Sequence, residues 1–270
     1  MTPTDADPTA DAIQRADWGD RHVKMAFVAR HPACRPFVAD ADGTIVGSGV
    51  TTINGPVGWI GTIWVDPAWR GRGIGKALTL ATIEAAEEAA CQTLVLVATD
   101  AGRPLYERLG FEVQANYRTM EAPSQPGANP DPRVRPYRPA DLPQVVALDA
   151  AATGEDRAHL LAAFAAPETT RCVERPDGTV GGFVIRAPWG GGATIAPDPD
   201  DALAILRARR VAALPGKRVR AGILDSNRAG AERLLAAGWT DAWGAPRMIR
   251  GLMPDWQPDA IWGQFDHAVG

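Results

Sequence analysis

The densest chemical signal in the sequence is the run Arg70-Gly71-Arg72-Gly73-Ile74-Gly75-Lys76. Glycines at alternate positions free the backbone to turn and let a ligand approach the main chain closely. A helix-forming segment follows at once, from Gly73 to Ala90. First-turn amides of a helix lack intrahelical acceptors, and with the helix dipole they form an anion site. Arg70, Arg72 and Lys76 add positive charge around it. The chemistry this supports is a grip on phosphate or pyrophosphate; the plain alternative is a glycine-rich connection with a solvated basic face. Two other phosphate motifs fit less well. Gly75-Lys76 is followed by Ala77, so the magnesium-binding hydroxyl of a P-loop is missing, and the glycine interval is wrong for a dinucleotide fingerprint.

Other chemistry is sparse. Cys34, Cys91 and Cys172 are odd in number, far apart and without a local nucleophile motif. His22, His31, His159 and His267 form no compact ligand set, so no metal site is expected. Asp66 stands next to the loop but directly before Pro67, where a turn role suits it best. Asp17, Asp20, Asp40 and Asp42 could attract a cationic amine, although surface solvation is the simpler reading of them.

The elements around the loop must hold it between a strand and a helix. Pro36 to Ile53 reads as two extended segments joined at Asp40-Ala41-Asp42-Gly43, and a second turn at Asn54–Gly58 leads into Trp59–Val65. After the helix, Leu94–Ala98 is a short apolar run suited to a buried parallel strand. Pro104–Leu109 makes a helix closed by Gly110, and Phe111–Met120 reads as a last strand. The pattern is a mixed-sheet α/β domain. Much of this order recurs. Leu105-Tyr106-Glu107-Arg108-Leu109-Gly110-Phe111 matches Arg233-Leu234-Leu235-Ala236-Ala237-Gly238-Trp239, each after an apolar strand, so an internal duplication is expected. Between the copies, Ala122 to Pro132 carries four prolines in eleven residues and reads as a semi-rigid linker. The expected domains are 1–121 and 133–270, joined by 122–132. The first ten residues and part of the tail after Gly251 are expected to fray.

The whole chain of 270 residues is 46% hydrophobic and 22% charged, enough for packed cores, with a formal net charge of −4. There is no basic excess of the kind a nucleic-acid binder carries. No long apolar stretch suggests a membrane span, and the acidic N-terminus does not resemble a secretory signal. A cytoplasmic protein, monomeric or homodimeric, is expected.

The loop and the later tyrosine motif together resemble the GNAT acetyltransferase superfamily. Its Arg/Gln-x-x-Gly-x-Gly/Ala signature matches Arg70 to Gly75, Val65-Asp66-Pro67-Ala68-Trp69 resembles its lead-in, and Leu105–Phe111 resembles its later signature. The resemblance implies two tandem acyl-CoA N-acyltransferase folds. It also implies acetyl-CoA as acyl donor and a primary amine of a small molecule as acceptor. Main-chain groups of Ile63, Trp64 and Val65 are then expected to pair with the pantetheine arm as an added strand. The amides from Arg72 through Gly73, Ile74 and Gly75 to Lys76, with Arg70 and Gly71, hold the pyrophosphate. Tyr106 falls where the family places a hydroxyl that protonates or steadies the departing thiolate. Thr99 stands where an asparagine often holds the cofactor. No carboxylate lies on Gly58–Val65 to act as base, so none is assigned. The second half lacks the loop motif, presents Asp198, Asp200 and Asp201 where a pyrophosphate would bind, and has Leu234 at the tyrosine position. It reads as a degenerate copy. Asn227 resembles the family asparagine or acts as a helix cap. Two other functions remain open: a non-catalytic acyl-CoA sensor, and a protein or peptide acetyltransferase.

Overall fold

The computed structural model describes residues 1–270. The chain opens with a helical turn and two helices, α1 (Ala6–Arg15) and α2 (His22–Val28). The first ten residues are therefore not frayed. α1 buries Ala6, Thr9, Ala10, Ala12 and Ile13 along one face, a stripe built mostly of small residues that the Thr/Asp/Pro-rich composition conceals. No strand precedes α1.

Three antiparallel strands follow: β1 (Cys34–Ala41), β2 (Thr44–Asn54) and β3 (Val57–Val65). Asp42 and Gly43 both take positive φ in the first turn, where Gly43 N donates to Asp40 Oδ1 at 2.9 Å. α3 (Ile74–Glu88) carries the chain across the sheet to β4 (Thr93–Val97), which lies parallel to β3. α4 (Arg103–Arg108) and β5 (Glu112–Pro123) close the first copy. The second copy starts with β6 (Val134–Pro136), α5 (Leu142–Thr153) and α6 (Ala158–Phe164). It continues through β7 (Thr170–Glu174), β8 (Val180–Arg186), β9 (Gly192–Ile195) and α7 (Pro199–Ala212). It ends in β10 (Arg218–Leu224), α8 (Arg228–Ala236) and β11 (Thr240–Gly251), with a last short strand, β12 (Ile261–Gly263). The order α-α-β-β-β-α-β-α-β thus occurs twice. α6 is shorter than the helix-forming run Glu155–Ala166.

The chain folds into two compact units that do not follow sequence order. One contains Met1–Glu112, Met248–Met253 and Asp266–Gly270; the other contains Val113–Arg247 and Pro254–Phe265. In the first unit, the end of β11 lies beside β4. Met248 joins a core with Ile60, Ile83, Leu96 and Phe111, and Ile249 packs with Val57, Trp59 and Val95. In the second unit, β5 pairs antiparallel with β10 from Tyr117↔Leu224 to Pro123↔Arg218. The second unit also holds the five-stranded sheet β12-β9-β8-β7-β6. Its main core gathers Met120, Val184, Ile205, Ile223, Leu234 and Trp262.

The tail after Gly251 packs against the first unit at its end, where fraying of part of it was expected. Ala268 and Val269 are buried in the first unit. Thr52 Oγ1 donates to Ala268 O at 2.9 Å, and Asn54 Nδ2 to Val269 O at 3.1 Å. Gly61 on β3 has no room for a side chain. A Cβ there would stand 2.5 Å from Ala268 Cα and 2.6 Å from His267 O. Lys24 on α2 donates to Asp266 Oδ1 at 2.8 Å, so the tail is held by charge as well as packing.

Candidate functional site

β3 leaves its neighbour early. Its parallel register with β4 covers only Val57↔Thr93, Gly58↔Leu94 and Trp59↔Val95. From Ile60 to Val65 that edge of β3 has no partner strand. On its other edge the register with β2 shifts between Ser48 and Val50, so Gly49 faces both Thr62 and Ile63. Thr62 takes φ +53 at this bulge. A bulge twists the strand and re-aims its side chains, which suits a place where two parallel strands diverge. The structure brings Ile63, Trp64 and Val65 together along the free edge. Two polar atoms on this segment, Thr62 Oγ1 and Trp64 Nε1, are buried with no hydrogen-bond partner. Such atoms are costly to bury alone and mark a place where a ligand group or water is wanted. Thr62 escaped sequence reasoning, because nothing in its sequence environment announces the bulge.

The loop after β3 is shaped by short-range contacts. Asp66 Oδ1 accepts from Ala68 N at 2.8 Å and caps the turn Pro67–Trp69, a structural role. Arg70 Nε reaches back to Val65 O at 3.3 Å. Gly71 and Gly73 both take positive φ, and a Cβ on either would meet nothing within 4 Å. Steric room is therefore present; the left-handed backbone is what demands glycine. Gly73 occupies the N-cap of α3, and no side chain caps that end. The first-turn amides are thus left for solvent or a ligand. Arg72 and Lys76 are exposed beside them, and the Arg72 guanidinium lies over the Trp69 ring. Gly71, Gly73, Ile74 and Gly75 follow one another on this rim. The site is an open, positively charged cradle at the end of a strand with a free edge.

Tyr106 projects from α4 into the core of the first unit, edge-on to Phe111, with 8% of its surface exposed. Burial pushes its phenol up to about 12, so it remains a neutral proton donor across ordinary pH. Thr99 is exposed at the start of the α4 turn. Its Oγ1 accepts from Gly102 N at 3.2 Å, and its carbonyl accepts from Arg103 N at 2.9 Å. The hydroxyl proton of Thr99 stays available to a ligand. The cysteines offer no thiolate. Burial pushes Cys34 up to about 11 and Cys172 to about 12. No group of three or more His, Cys, Asp or Glu side chains is placed to hold a metal ion, and no helix is long and apolar enough to cross a membrane.

The corresponding place in the second unit is filled by protein. β12 pairs with β9 through Ile261↔Ile195 and Gly263↔Thr194. It also packs against β10, where Gly263 Cα comes within 4.0 Å of a Cβ built on Gly222. Ala196 N donates to Ala260 O, and Trp262 Nε1 to Ala196 O at 3.0 Å, with Trp262 fully buried. The start of α7 is negative and already satisfied. Asp198 caps it by accepting from Asp200 N, and the buried Asp201 pairs with Arg133 and Arg175. Asn227 is a helix cap: its Oδ1 accepts from Gly230 N at 2.8 Å.

A strand with a free edge, a left-handed glycine turn and an uncapped helix, set in a twice-repeated α-α-β-β-β-α-β-α-β order, define an acyltransferase class of fold. The chain belongs to the GNAT acetyltransferase family. Residues 3–111 match the Acetyltransferase (GNAT) family and residues 145–263 match an Acetyltransferase (GNAT) domain. A glucosamine 6-phosphate N-acetyltransferase from Trypanosoma brucei brucei is 30% identical over 120 residues, covering 42% of this chain and 77% of that relative. A mycothiol acetyltransferase from Thermomonospora curvata is 33% identical, but over only 28% of this chain and 27% of its own length. Among solved structures, an acetyltransferase from Pyrococcus horikoshii superimposes with TM-score 0.82 at 20% identity, covering 100% of this chain and 94% of that one. A tandem GNAT protein from the clavulanic acid biosynthesis pathway gives TM-score 0.61 at 16% identity, over 94% and 98% of the two chains. These likenesses at low identity establish the tandem fold.

Proposed function

We propose that the first copy binds acetyl-CoA and transfers the acetyl group to a primary amine of a small molecule. The observation that carries this reading is the free edge of β3 running directly into the open glycine cradle at the uncapped start of α3. Main-chain groups of Ile63, Trp64 and Val65 suit an extended pantetheine arm, which would add to the sheet as a strand does. The amides from Arg72 to Lys76 suit its pyrophosphate, with Arg70, Gly71 and Gly73 shaping the loop. Thr99 can donate one hydrogen bond at the far side of the cleft.

The reaction is direct attack of the amine nitrogen on the thioester carbonyl; a C–N bond forms and the C–S bond breaks. The neutral phenol of Tyr106 suits proton delivery to the departing thiolate, and the amine releases its own proton to solvent. Much of the rate gain would come from holding two reactants together. The amino sugar phosphate named for the Trypanosoma relative supports a small-molecule amine. We assign residues 133–270, beyond the 122–132 connection, to a second copy that has lost cofactor binding because β12 stands in the place of the arm.

A sensor reading has one observation in its favour: β3 carries no carboxylate to take the amine proton. Thiol release across a broad amine panel, run beside calorimetric titration of acetyl-CoA, separates the two. Turnover with any small amine supports the enzyme, tight binding without turnover supports the sensor, and absence of binding removes both.

A further inference from the structure

The second unit contains a cavity of about 730 Å³ that shares no lining residue with the proposed acetyl-transfer site. It lies between the C-terminal half of α7, the start of β10 and the ends of β7 and β8. Six cations line it: Arg171, Arg186, Arg209, Lys217, Arg218 and Arg220. Only Glu121 and Glu168 oppose them. Glu121 is taken by Arg218 at 2.6 Å, with Arg220 at 3.7 Å. Arg171, Arg186 and Arg209 are held by backbone carbonyls of Pro167, Gly190 and Arg220, which fix their heads without neutralising them. A protein with net charge −4 has thus gathered uncompensated positive charge in one concave place.

Arg209 is the decisive residue. Its Nε is buried and has no hydrogen-bond partner. A guanidinium left with an enclosed, unused N–H beside a second guanidinium is unfavourable in the free protein. Burial and the neighbouring Arg186 charge pull its pKa down to about 10. An anion with several acceptor oxygens placed beside Arg209 and Arg186 offsets their mutual repulsion. The remaining wall is apolar, built from Val184, Ala212, Val219 and the exposed Leu214. It offers a surface to the organic body of a ligand, and the volume falls within the range of small-molecule sites.

We propose that this cavity is a second ligand site, independent of the acetyl-CoA site, that binds an organic polyphosphate of nucleotide size through Arg209, Arg186 and Lys217. It does not rest on the acetyl-transfer reading.

The test is calorimetric titration of the full chain carrying Arg72→Glu, which weakens anion binding at the α3 cradle, with adenosine triphosphate and separately with inorganic tripolyphosphate. The expected result is one nucleotide per chain in this variant. Tripolyphosphate should bind about tenfold more weakly for want of the apolar contact. Arg209→Met should weaken the nucleotide by about tenfold or more. If Arg209→Met fails to fold, Lys217→Glu at the exposed rim gives the same readout. No binding at millimolar nucleotide, or undiminished affinity in the folded Arg209→Met and Lys217→Glu variants, would overturn the site. Equal affinity for tripolyphosphate would overturn the organic-ligand assignment.

Discussion

The guanidinium of Arg72 lies 4.6 Å from the centroid of the Trp69 ring. This contact orients a long, exposed side chain across the mouth of the glycine cradle, where a free arginine would sample many rotamers. Arg72→Glu should raise KM for acetyl-CoA by more than about tenfold, since it replaces attraction to a diphosphate with repulsion. Trp69→Ala keeps the charge and removes only its support, so about threefold is expected. Initial-rate kinetics on both variants checks the order. Equal effects would mean that the stacking is incidental.

Tyr106 predicts a different split. Tyr106→Phe should lower kcat by about tenfold and change KM for acetyl-CoA little, because the hydroxyl acts on the leaving group. Burial raises its pKa to about 12. The folded state therefore holds this proton more tightly than the unfolded chain, whose phenol titrates near 10. Stability from this term is complete below about pH 10 and is lost as pH rises toward 12, a loss of about 2–3 kcal/mol. Denaturant unfolding of wild type and Tyr106→Phe between pH 9 and about 11 should show the wild type falling more steeply.

The filling of the second cleft predicts stoichiometry. With the arginine-lined cavity disabled by Arg209→Met, one acetyl-CoA per chain should bind in titration, although the chain carries two copies of the fold. Trp262→Ala, which empties a fully buried indole site between β9 and β10, should destabilise by about 3–5 kcal/mol. It should leave the stoichiometry at one, because the aspartates at the start of α7 still repel a diphosphate. Two bound cofactors in Arg209→Met would refute the assignment of the second copy.

Lys24 and Asp266 form an ion pair that is almost fully buried on the lysine side. Lys24→Met leaves the Asp266 carboxylate without its partner and should cost about 3–5 kcal/mol, with partial recovery in the double variant carrying Asp266→Asn. Burial pushes the Asp266 carboxyl up, but the charge and hydrogen bond of Lys24 outweigh it and hold the group below the ordinary carboxylate range. Its stabilising contribution is present above about pH 4 and is lost as pH falls through the lower folded value. The cost of Lys24→Met, read from denaturant unfolding followed by tryptophan fluorescence, should be largest at neutral pH and shrink as pH falls, because the unpaired buried carboxyl then takes up a proton.

Much of the first copy was legible residue by residue. Asp40 to Gly43, Asn54 to Gly58 and Gly71 to Gly75 mark turns because their backbone requirements are local. The amphipathic run after Gly73 and the apolar Leu94–Ala98 place α3 and β4 in the same way. α1 was missed because its buried stripe is largely alanine, which reads as neither core nor surface. For Asn227 the sequence allows two roles, and its bond to Gly230 N makes it a cap.

What the amino-acid order determined by itself is the repeated element plan, the glycine-rich loop before α3 and the absence of that loop from the second copy. Each depends on neighbours within a turn or two, where glycine conformation, capping and hydrophobic period act directly. The divergence of β3 from β4, the entry of Met248 and Ile249 into the first core, the seating of Ala268 against Gly61 and the wedging of β12 beside β9 were decided only in three dimensions. These contacts join residues distant in sequence, and they are selected by which apolar faces and unpaired strand edges find each other once the elements exist. The gathering of Arg171, Arg186, Arg209 and Lys217 around one cavity has the same origin, since no stretch of sequence contains the cluster.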